Sequence, residues 1–403
     1  MGSTVCRWHV SVATWLTATA VFVTRPSILA AQAPPARWTV DPTPTVSIGE
    51  AQGPPEYLLD SPREVTVLAH GTIVIQNSFR GVFEIRYYDA RGKYLRTVSR
   101  WGEGPYEFHA RTWAHRLGPD SLLVLDNGGR FAVFGPRGEP VREGRLDVQA
   151  LQPVGVTVRV DDHHLAVLRS NGKPGIPSGM VRGSADVLFL NLDTGEAERV
   201  GTLPDRTAFF QRAGRGVWIY QSPFAPEGFI AGGGGLLWMG DSAADSIVAY
   251  RPGVRGPVRT VHVGFPRVRV TREDRSRLRD LFSHFSGDRG KRWARYARSM
   301  DFPDVMPRFG RLEVDRDGNL WVQEYEVPWK EGSQHWEVYS EAGAHIADVS
   351  VPVPALSWCA RGGTGPCYLR QAPLEIGDDY ILVAERGPMD VFVVREFAIH
   401  KGR

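Results

Sequence analysis

The sequence contains few cysteines and methionines and has a small net charge, and these features limit the classes of protein to which it can belong. Its 403 residues include three cysteines and six methionines, and the formal net charge is +3. So small an excess of Lys and Arg does not favour nucleic acid as a partner. The main apolar stretch, residues 9–24, is short for a transmembrane helix. These features together indicate a globular protein.

The N-terminal segment is typical of an export signal. Arg7 precedes the apolar stretch, and small residues follow it at 30–33. We expect residues 1–33 to be a signal peptide and the protein to be exported to the periplasm or the extracellular space. An uncleaved N-terminal anchor is the alternative. Cys6 lies before the apolar stretch, so the Leu-x-x-Cys spacing of a lipid-attachment site is absent.

Two cysteines, Cys359 and Cys367, remain after removal of such a signal. They flank a glycine-rich loop in a chain expected to be exported, which predicts a disulfide between them. The small loop that they close would restrict the unfolded chain by about 2–3 kcal/mol. Two unpaired thiols are the alternative. A metal site is not favoured, because no histidine lies near them in the sequence.

One phrase recurs six times: an apolar strand, a tight polar or glycine turn, and a second apolar strand. The copies lie at 65–77, 115–127, 158–169, 229–241, 312–324 and 374–385. A second hairpin follows each copy, at 83–98, 130–143, 186–200, 246–261, 336–349 and 390–400. Two hairpins make a four-stranded antiparallel sheet, and repetition at this period predicts a six-bladed β-propeller.

The sixth unit lacks its outer strand. Residues 36–49 precede the first complete unit and have strand character, although their prolines restrict them to a sheet edge. We expect this segment to pair with the C-terminal strand and close the ring, which removes an open sheet edge. The predicted fold is therefore an all-β, six-bladed propeller over residues 34–403, with a helical insertion between the fourth and fifth blades.

Two phrases, "GNLWV" and "YYDARGKYLRTVSRWGEGPYEF", together with the six-fold plan, resemble NHL-repeat propellers. More narrowly, the chain is similar to the exported bacterial six-bladed β-propeller proteins, most of which are functionally uncharacterised. The resemblance covers nearly all of the mature chain. It implies a fold rather than a function, because propellers host binding, scaffolding and several chemistries.

Residues 101–108, "WGEGPYEF", nearly repeat residues 48–57, "IGEAQGPPEY". Each copy follows an outer strand and precedes the inner strand of the next unit. Glycine supplies the turn and proline stiffens it, so we interpret the phrase as a joint between blades. Such joints and the loop inside each unit open on one face. They are long at 170–185, 204–228, 264–308, 325–335 and 352–370, which predicts a binding face.

Residues 270–300 are expected to form the helical insertion. Thr271 is a helix cap with Asp274 three residues on, and Leu278 begins an apolar stripe that continues to Phe285. Residues 267–298 include eleven Arg or Lys and four acidic residues. A lid packed by its apolar stripe is one interpretation; contact with an anionic ligand, a polyanionic glycan or a phospholipid surface is the other. Candidate contact residues on the loop-rich face are Arg169, Trp218, Trp329, Trp358, Arg292 and Arg295.

A polar residue ends the second strand of each unit, where six such residues would surround the channel mouth. Apart from Arg169, the candidates for a Ca²⁺ site are Asn77, Asn127, Asp241, Glu324 and Glu385, because Ca²⁺ prefers oxygen ligands. Gluconolactonase-type propellers use a ring of this kind, which makes a metal-dependent hydrolase the alternative function. The other interpretation is that these side chains bond to neighbouring backbone.

The sequence contains neither a Gly-x-Ser-x-Gly motif nor a phosphate-binding loop. We therefore expect no cofactor apart from Ca²⁺ under the alternative function. The main prediction is a monomeric binding module rather than an enzyme. It would recognise a protein, a glycan or another anionic ligand through the loop-rich face.

Overall fold

The computed structural model describes most of the chain after the N-terminal segment. The described residues are 34–79, 82–108, 112–146, 154–171, 179–213, 216–221, 224–283, 291, 294–296, 298–327, 329–330, 332–352, 374–386 and 391–402. Those from Pro35 onward belong to one compact unit. The predicted signal (1–33) and disulfide (Cys359 and Cys367) lie outside them. Within the described part, no helix is long and apolar enough to cross a bilayer.

The fold is all-β, and its sheets follow one another along the chain. The first two strands are β1 (Ala36–Val40) and β2 (Val46–Ile48), and a 3-10 turn follows at Pro55–Tyr57. Sheet I consists of β3 (Pro62–Val67), β4 (Ile73–Phe79), β5 (Val82–Tyr88) and β6 (Tyr94–Arg100), with a 3-10 turn at Ala69–Gly71. Sheet II consists of β7 (Thr112–Leu117), β8 (Ser121–Asp126), β9 (Arg130–Phe134) and β10 (Pro140–Arg145).

Sheet III has five strands, and sheet IV is followed by a helix. Sheet III consists of β11 (Val154–Arg159), β12 (His164–Ser170), β13 (Gly179–Asn191), β14 (Ala197–Ala213) and β15 (Gly216–Gln221). Sheet IV consists of β16 (Gly228–Gly233), β17 (Leu236–Asp241), β18 (Ser246–Tyr250) and β19 (Arg259–His262). Helix α1 spans Arg272–Ser283, inside the predicted insertion, and 294–296 and 298–299 are also helical.

The last sheet has nine strands and contains two antiparallel halves. Half-sheet V consists of β20 (Phe309–Val314), β21 (Leu320–Glu324), β22 (Gln334–Tyr339) and β23 (His345–Val351). Half-sheet VI consists of β24 (Leu374–Ile376), β25 (Tyr380–Arg386), β26 (Phe392–His400) and β2. The predicted pairing of the N-terminal segment with the C-terminal strand is confirmed. In addition, β1 joins the halves, parallel to β23 and antiparallel to β26.

Five apolar clusters lie between sheets or half-sheets that are consecutive along the chain, and a sixth joins half-sheet VI to sheet I. Alternation along each strand explains this packing, because both faces of a sheet between two neighbours must be apolar. Each fully buried large side chain contributes about 1.5–3 kcal/mol. Fully buried members of the six clusters include Ile75, Tyr87, Leu165, Val187, Trp238 and Trp321.

The structure corrects the prediction that residues 204–228 are a long loop. Strand β14 continues to Ala213 and pairs with β15, and β13 begins at Gly179, inside another predicted loop. The β-branched and aromatic residues at 207–210 and 217–220 favour this extended hairpin. The sequence pattern missed it because the strands run past the end of the repeated unit.

Candidate functional site

The two ends of the sheets carry connections of different length. Short turns after the first strand of each sheet lie at one end, called here the turn end: 68–72, 118–120, 160–163, 234–235, 315–319 and 377–379. The opposite end, called the loop end, carries the connections between sheets and the loops inside them. The described residues of the longer connections here are 101–108, 263–283, 298–308, 325–327, 329–330 and 332–333. This agrees with the predicted division into a plain and an elaborated face.

The loop end contains a seventh apolar cluster, the accessory core, which lies apart from the six clusters between sheets. Its buried members are Phe209, Phe224, Val270, Leu278, Tyr296, Met300 and Met306. They come from β14, from the connection before β16, from α1 and from the segments around α1. Leu278 and Tyr296 are fully buried. Leu278, the member of the predicted apolar stripe whose side chain the structure describes, is therefore packed at the loop end, which agrees with one of the two interpretations.

Trp329, a predicted contact residue, packs against the accessory core. Its ring meets that of Phe224 edge-on at 5.9 Å between centroids. The amide of Phe224, which has a left-handed φ of 62°, donates to the Tyr325 hydroxyl at 3.2 Å. Burial raises the pKa of Tyr325, so this hydroxyl stays protonated. The loop after β21 and the connection before β16 are thereby held together.

Helix α1 begins with the predicted cap. The amide of Asp274 donates to Thr271 Oγ1 at 3.1 Å, and the Thr271 amide and hydroxyl donate to Asp274 Oδ2 at 2.9 and 2.7 Å. This reciprocal arrangement satisfies amides that a helix start leaves without partners. The Thr271–Asp274 cap sets the residue at which α1 begins.

The polar side of the insertion forms a basic surface. Its exposed cations are Arg267, Arg269, Arg272, Arg277, Arg279, Lys291, Arg295 and Arg298. Arg277 is paired within the helix with Glu273 at 2.7 Å. Partly exposed Arg275 lies over the Phe302 ring at 5.9 Å and 3.7 Å from Asp304. Predicted residue Arg295 belongs to this surface, whereas Arg292 lies outside the described residues.

A cavity of about 380 Å³ lies at the loop end of sheet II, against the repeated phrase at 101–108. Tyr106 has a left-handed φ of 57°, and its amide donates to Glu143 at 3.0 Å. Arg130 donates to the carbonyl oxygen of Gly104 at 2.9 Å. The phrase is a joint between β6 and β7, as predicted, and it also forms one wall of a cavity that the sequence did not reveal.

Asn77 and Asp241 bond to nearby backbone. Asn77 is fully buried, and its Oδ1 accepts from the amides of Asp60 and Ser61 at 3.2 Å each. Asp241 Oδ1 accepts from the Ala243 amide at 3.0 Å and also pairs with Arg182. These contacts agree with the backbone-bonding interpretation, and a role of either residue in a metal site stays a prediction.

Glu324 and Glu385 each pair with a basic side chain. Glu385 pairs with Arg395, and Glu324 lies 3.3 Å from His335 Nδ1. Asn127 is partly buried where β8 ends. In the described ranges, no three His, Cys, Asp or Glu side chains form a group suited to a metal ion. Asp241, Glu324 and Glu385 are thus not brought together in this way, and Ca²⁺ binding stays a prediction.

Arg169 is part of an ion-pair network on sheet III. It pairs with Asp186 at 2.9 Å, and Arg199 lies 3.1 Å from the other oxygen of that carboxylate. The hydrogen bond from Arg169 is the main reason that the pKa of Asp186 is held at about 2. Trp218 lies on β15 opposite Gln211. Trp358 lies outside the described residues.

At the turn end, each turn contacts its neighbour, and the last contacts the first. Four of these contacts are hydrogen bonds from backbone amides. The amide of Ala69 donates to Pro119 O at 2.9 Å, and that of Gly118 donates to Asp162 Oδ1 at 2.6 Å. The amide of Gly235 donates to Val160 O at 3.0 Å, and that of Arg316 donates to Ile376 O at 3.2 Å. The Val67 amide donates to Glu375 Oε2 at 3.0 Å. A Cβ atom at Gly234 would lie 3.1 Å from Gly318 Cα, so only glycine fits there without displacement. The turns thus form a closed series of contacts.

Comparison with known proteins shows a likeness to solved structures. No family model matches the chain, and no curated protein matches it. A solved structure from Bacteroides fragilis, named "Putative exported protein", is similar over 91% of this chain and 96% of that chain. The identity is 9% and the TM-score 0.44. A likeness at this level supports no conclusion about function.

Proposed function

We propose that the chain is an exported six-bladed β-propeller of the NHL-repeat-like type that binds an anionic partner through its loop end. Four-stranded antiparallel units, six clusters between consecutive units and the closed series of turn contacts support the propeller. The signal-like pattern in residues 1–33 supports export.

The accessory core is the observation that carries the binding function. Blades of this kind need no helix, and the six clusters between sheets already bury the strands. The chain nevertheless orders α1 and the loop after β21 in a separate core at one end. Long connections that are ordered in this way are usual at binding sites.

The charge of the insertion indicates the chemistry of the partner. The accessory core buries Leu278 of α1, whereas the eight cations of the basic surface stay exposed. Clustered exposed cations attract anions over about 8–10 Å at ordinary salt. A sulfated or carboxylated glycan fits this surface, and a protein or a phospholipid surface with anionic groups is the other kind of partner.

Retention of the full chain on a heparin resin tests the proposal. We expect binding that weakens steeply with salt, and at least about tenfold weaker binding for the charge reversals Arg267→Glu, Arg272→Glu and Arg295→Glu combined. The matched control reverses three exposed arginines at the turn end: Arg91→Glu, Arg137→Glu and Arg255→Glu. Retention that is insensitive to salt, or equal losses in both triple variants, would contradict the proposal.

A further inference from the structure

Three arginines from three different sheets meet at the turn end. Arg116 lies near the end of β7, Arg159 ends β11, and Arg316 lies in the turn between β20 and β21. Arg316 pairs with Glu375 at 2.6 Å, and Arg159 pairs with Asp162 at 2.9 Å. Arg116 differs, because in the described part of the chain no carboxylate lies at salt-bridge distance from it.

Hydrogen bonds connect Arg116 to Arg159. Arg116 Nη1 donates to the carbonyl oxygen of Gly118 at 3.2 Å. The Gly118 amide donates to Asp162 Oδ1 at 2.6 Å, and the same oxygen accepts from Arg159 Nη2 at 2.9 Å. The two guanidinium groups are therefore held by one short chain of contacts between neighbouring turns.

Arg316 belongs to a second set of contacts. It donates to Val67 O and to Glu375, which also accepts from the Tyr380 hydroxyl at 2.8 Å. Arg316, Glu375 and Tyr380 all act electrostatically on Arg116. The two sets therefore interact at the turn end.

Arg116 is the guanidinium group that lacks a paired carboxylate where the two sets meet, among the residues that the structure describes. Asp162 pairs with Arg159 and Glu375 pairs with Arg316, and Asp378 also acts on Arg316 from the turn before β25. Arg116 is half-buried, and burial together with repulsion from Arg316 lowers its pKa. An arginine keeps its proton at neutral pH, so this repulsion is not relieved by deprotonation.

Hydrogen-bond donors also remain unused there. Arg159 Nε is buried and makes no hydrogen bond to any described residue. A buried donor without a partner costs about 1–3 kcal/mol, so natural structures rarely keep one that has no role. A bound oxyanion would accept from Arg159 Nε and from the outer N–H groups of Arg116, and would give Arg116 an anionic partner.

We propose that the turn end binds a small oxyanion, the carboxylate or phosphate group of a ligand, between Arg116 and Arg159. Planar guanidinium groups match the geometry of such groups and bind them through paired hydrogen bonds. The site is independent of the loop end, and its existence does not depend on the function proposed for that end.

Calorimetric titration and thermal unfolding of the full chain with inorganic phosphate and with citrate test the proposal, at ionic strength held constant with NaCl. We expect at least one anion to bind and to raise the melting temperature; which one does so identifies the oxyanion. Arg116→Gln should weaken binding about tenfold or more, because a charged donor is lost. The control Arg255→Gln removes an equally charged, exposed arginine at the same end and should bind as the wild type does.

Stability without anion separates a binding role from a structural one. If Arg316 repels Arg116 in the folded protein, removing the Arg116 charge relieves that repulsion. Arg116→Gln should then unfold at the same temperature as the wild type or at a higher one. Arg159→Lys, which keeps the charge but loses Nε, should also weaken binding about tenfold while remaining folded. Absence of binding by both anions to the wild type, or unchanged affinity in Arg116→Gln, would overturn the proposal.

Discussion

The turn end and the loop end are built from the same repeated hairpins but are held together differently. At the turn end, backbone amides and a few side chains connect every turn to a turn of another sheet. At the loop end, a separate apolar core holds one insertion and its neighbours. Damage at the turn end should therefore weaken the whole fold, whereas damage in the accessory core should stay local.

The largest expected effect is at the turn end. Glu375→Gln removes the charge that pairs with Arg316 and one of the two oxygens that accept from Arg316, Tyr380 and the Val67 amide, in a mostly buried setting. Breaking a buried ion pair by removing one partner costs about 3–5 kcal/mol, because the other charge stays buried. Urea unfolding should show this loss in the global free energy of unfolding.

Glu341→Gln is the matched control for that change. Glu341 pairs with Arg251 at 3.2 Å, and the two side chains are 53% and 48% exposed. An exposed pair of this kind contributes no more than about 1 kcal/mol. Equal losses in the two variants would show that the closed series of turns has no special importance for stability.

The second effect is a loss of stability on acidification, which originates beside the same turns. His115 Nε2 lies 2.7 Å from Thr157 Oγ1, and burial, with a smaller contribution from Arg159, lowers the pKa of His115 to about 4. The unfolded chain takes up this proton near pH 6.5. The contribution of neutral His115 to the free energy of unfolding is therefore fully present above about pH 6.5. It falls by about 3 kcal/mol as the pH drops to about 4.

His115→Gln tests the origin of that loss. Gln can keep a hydrogen bond to Thr157 but does not titrate, so the variant should lose less stability than the wild type between about pH 7 and pH 4. Urea unfolding at both pH values measures the difference. Identical pH dependence in the two proteins would mean that the histidine does not destabilise the acidified fold.

The third effect separates local from global unfolding. Leu278→Ala in the accessory core should lower the free energy of local opening of α1 by about 2–3 kcal/mol. Hydrogen exchange should speed up in α1 while the sheets stay protected. Leu312→Ala, in the cluster between sheet IV and half-sheet V, is the same substitution and should instead speed exchange in the sheets. A global effect of Leu278→Ala would remove the contrast between the two ends.

The smallest effect is at the start of α1. Thr271→Ala removes the hydroxyl that accepts from the Asp274 amide and should cost about 1 kcal/mol. Helix content and exchange in α1 should change, with no change in the urea midpoint of the sheets. Thr271→Ser keeps the cap and should behave as the wild type does.

The sequence predicts those features whose causes are local. The alternation of apolar residues, the turn residues and the Thr271 cap each depend on a few neighbouring positions, and all were found. The cluster of Arg116, Arg159 and Arg316 could not be foreseen, because it depends on contacts between turns that are far apart in the chain. For the same reason the position of Asp241 was predictable but its partner Arg182, on another sheet, was not.

The position of β1 has a consequence for the order in which the protein can assemble. This strand is made first, yet it lies between β23 and β26, and Trp38 Nε1 donates to the carbonyl oxygen of Gly402 at 3.1 Å. Contacts across nearly the whole chain make folding slow. In a chain that is made from its N-terminus, β1 has no strand to pair with until β23 and β26 have been made. Loss of a few C-terminal residues should therefore leave half-sheets V and VI incompletely paired.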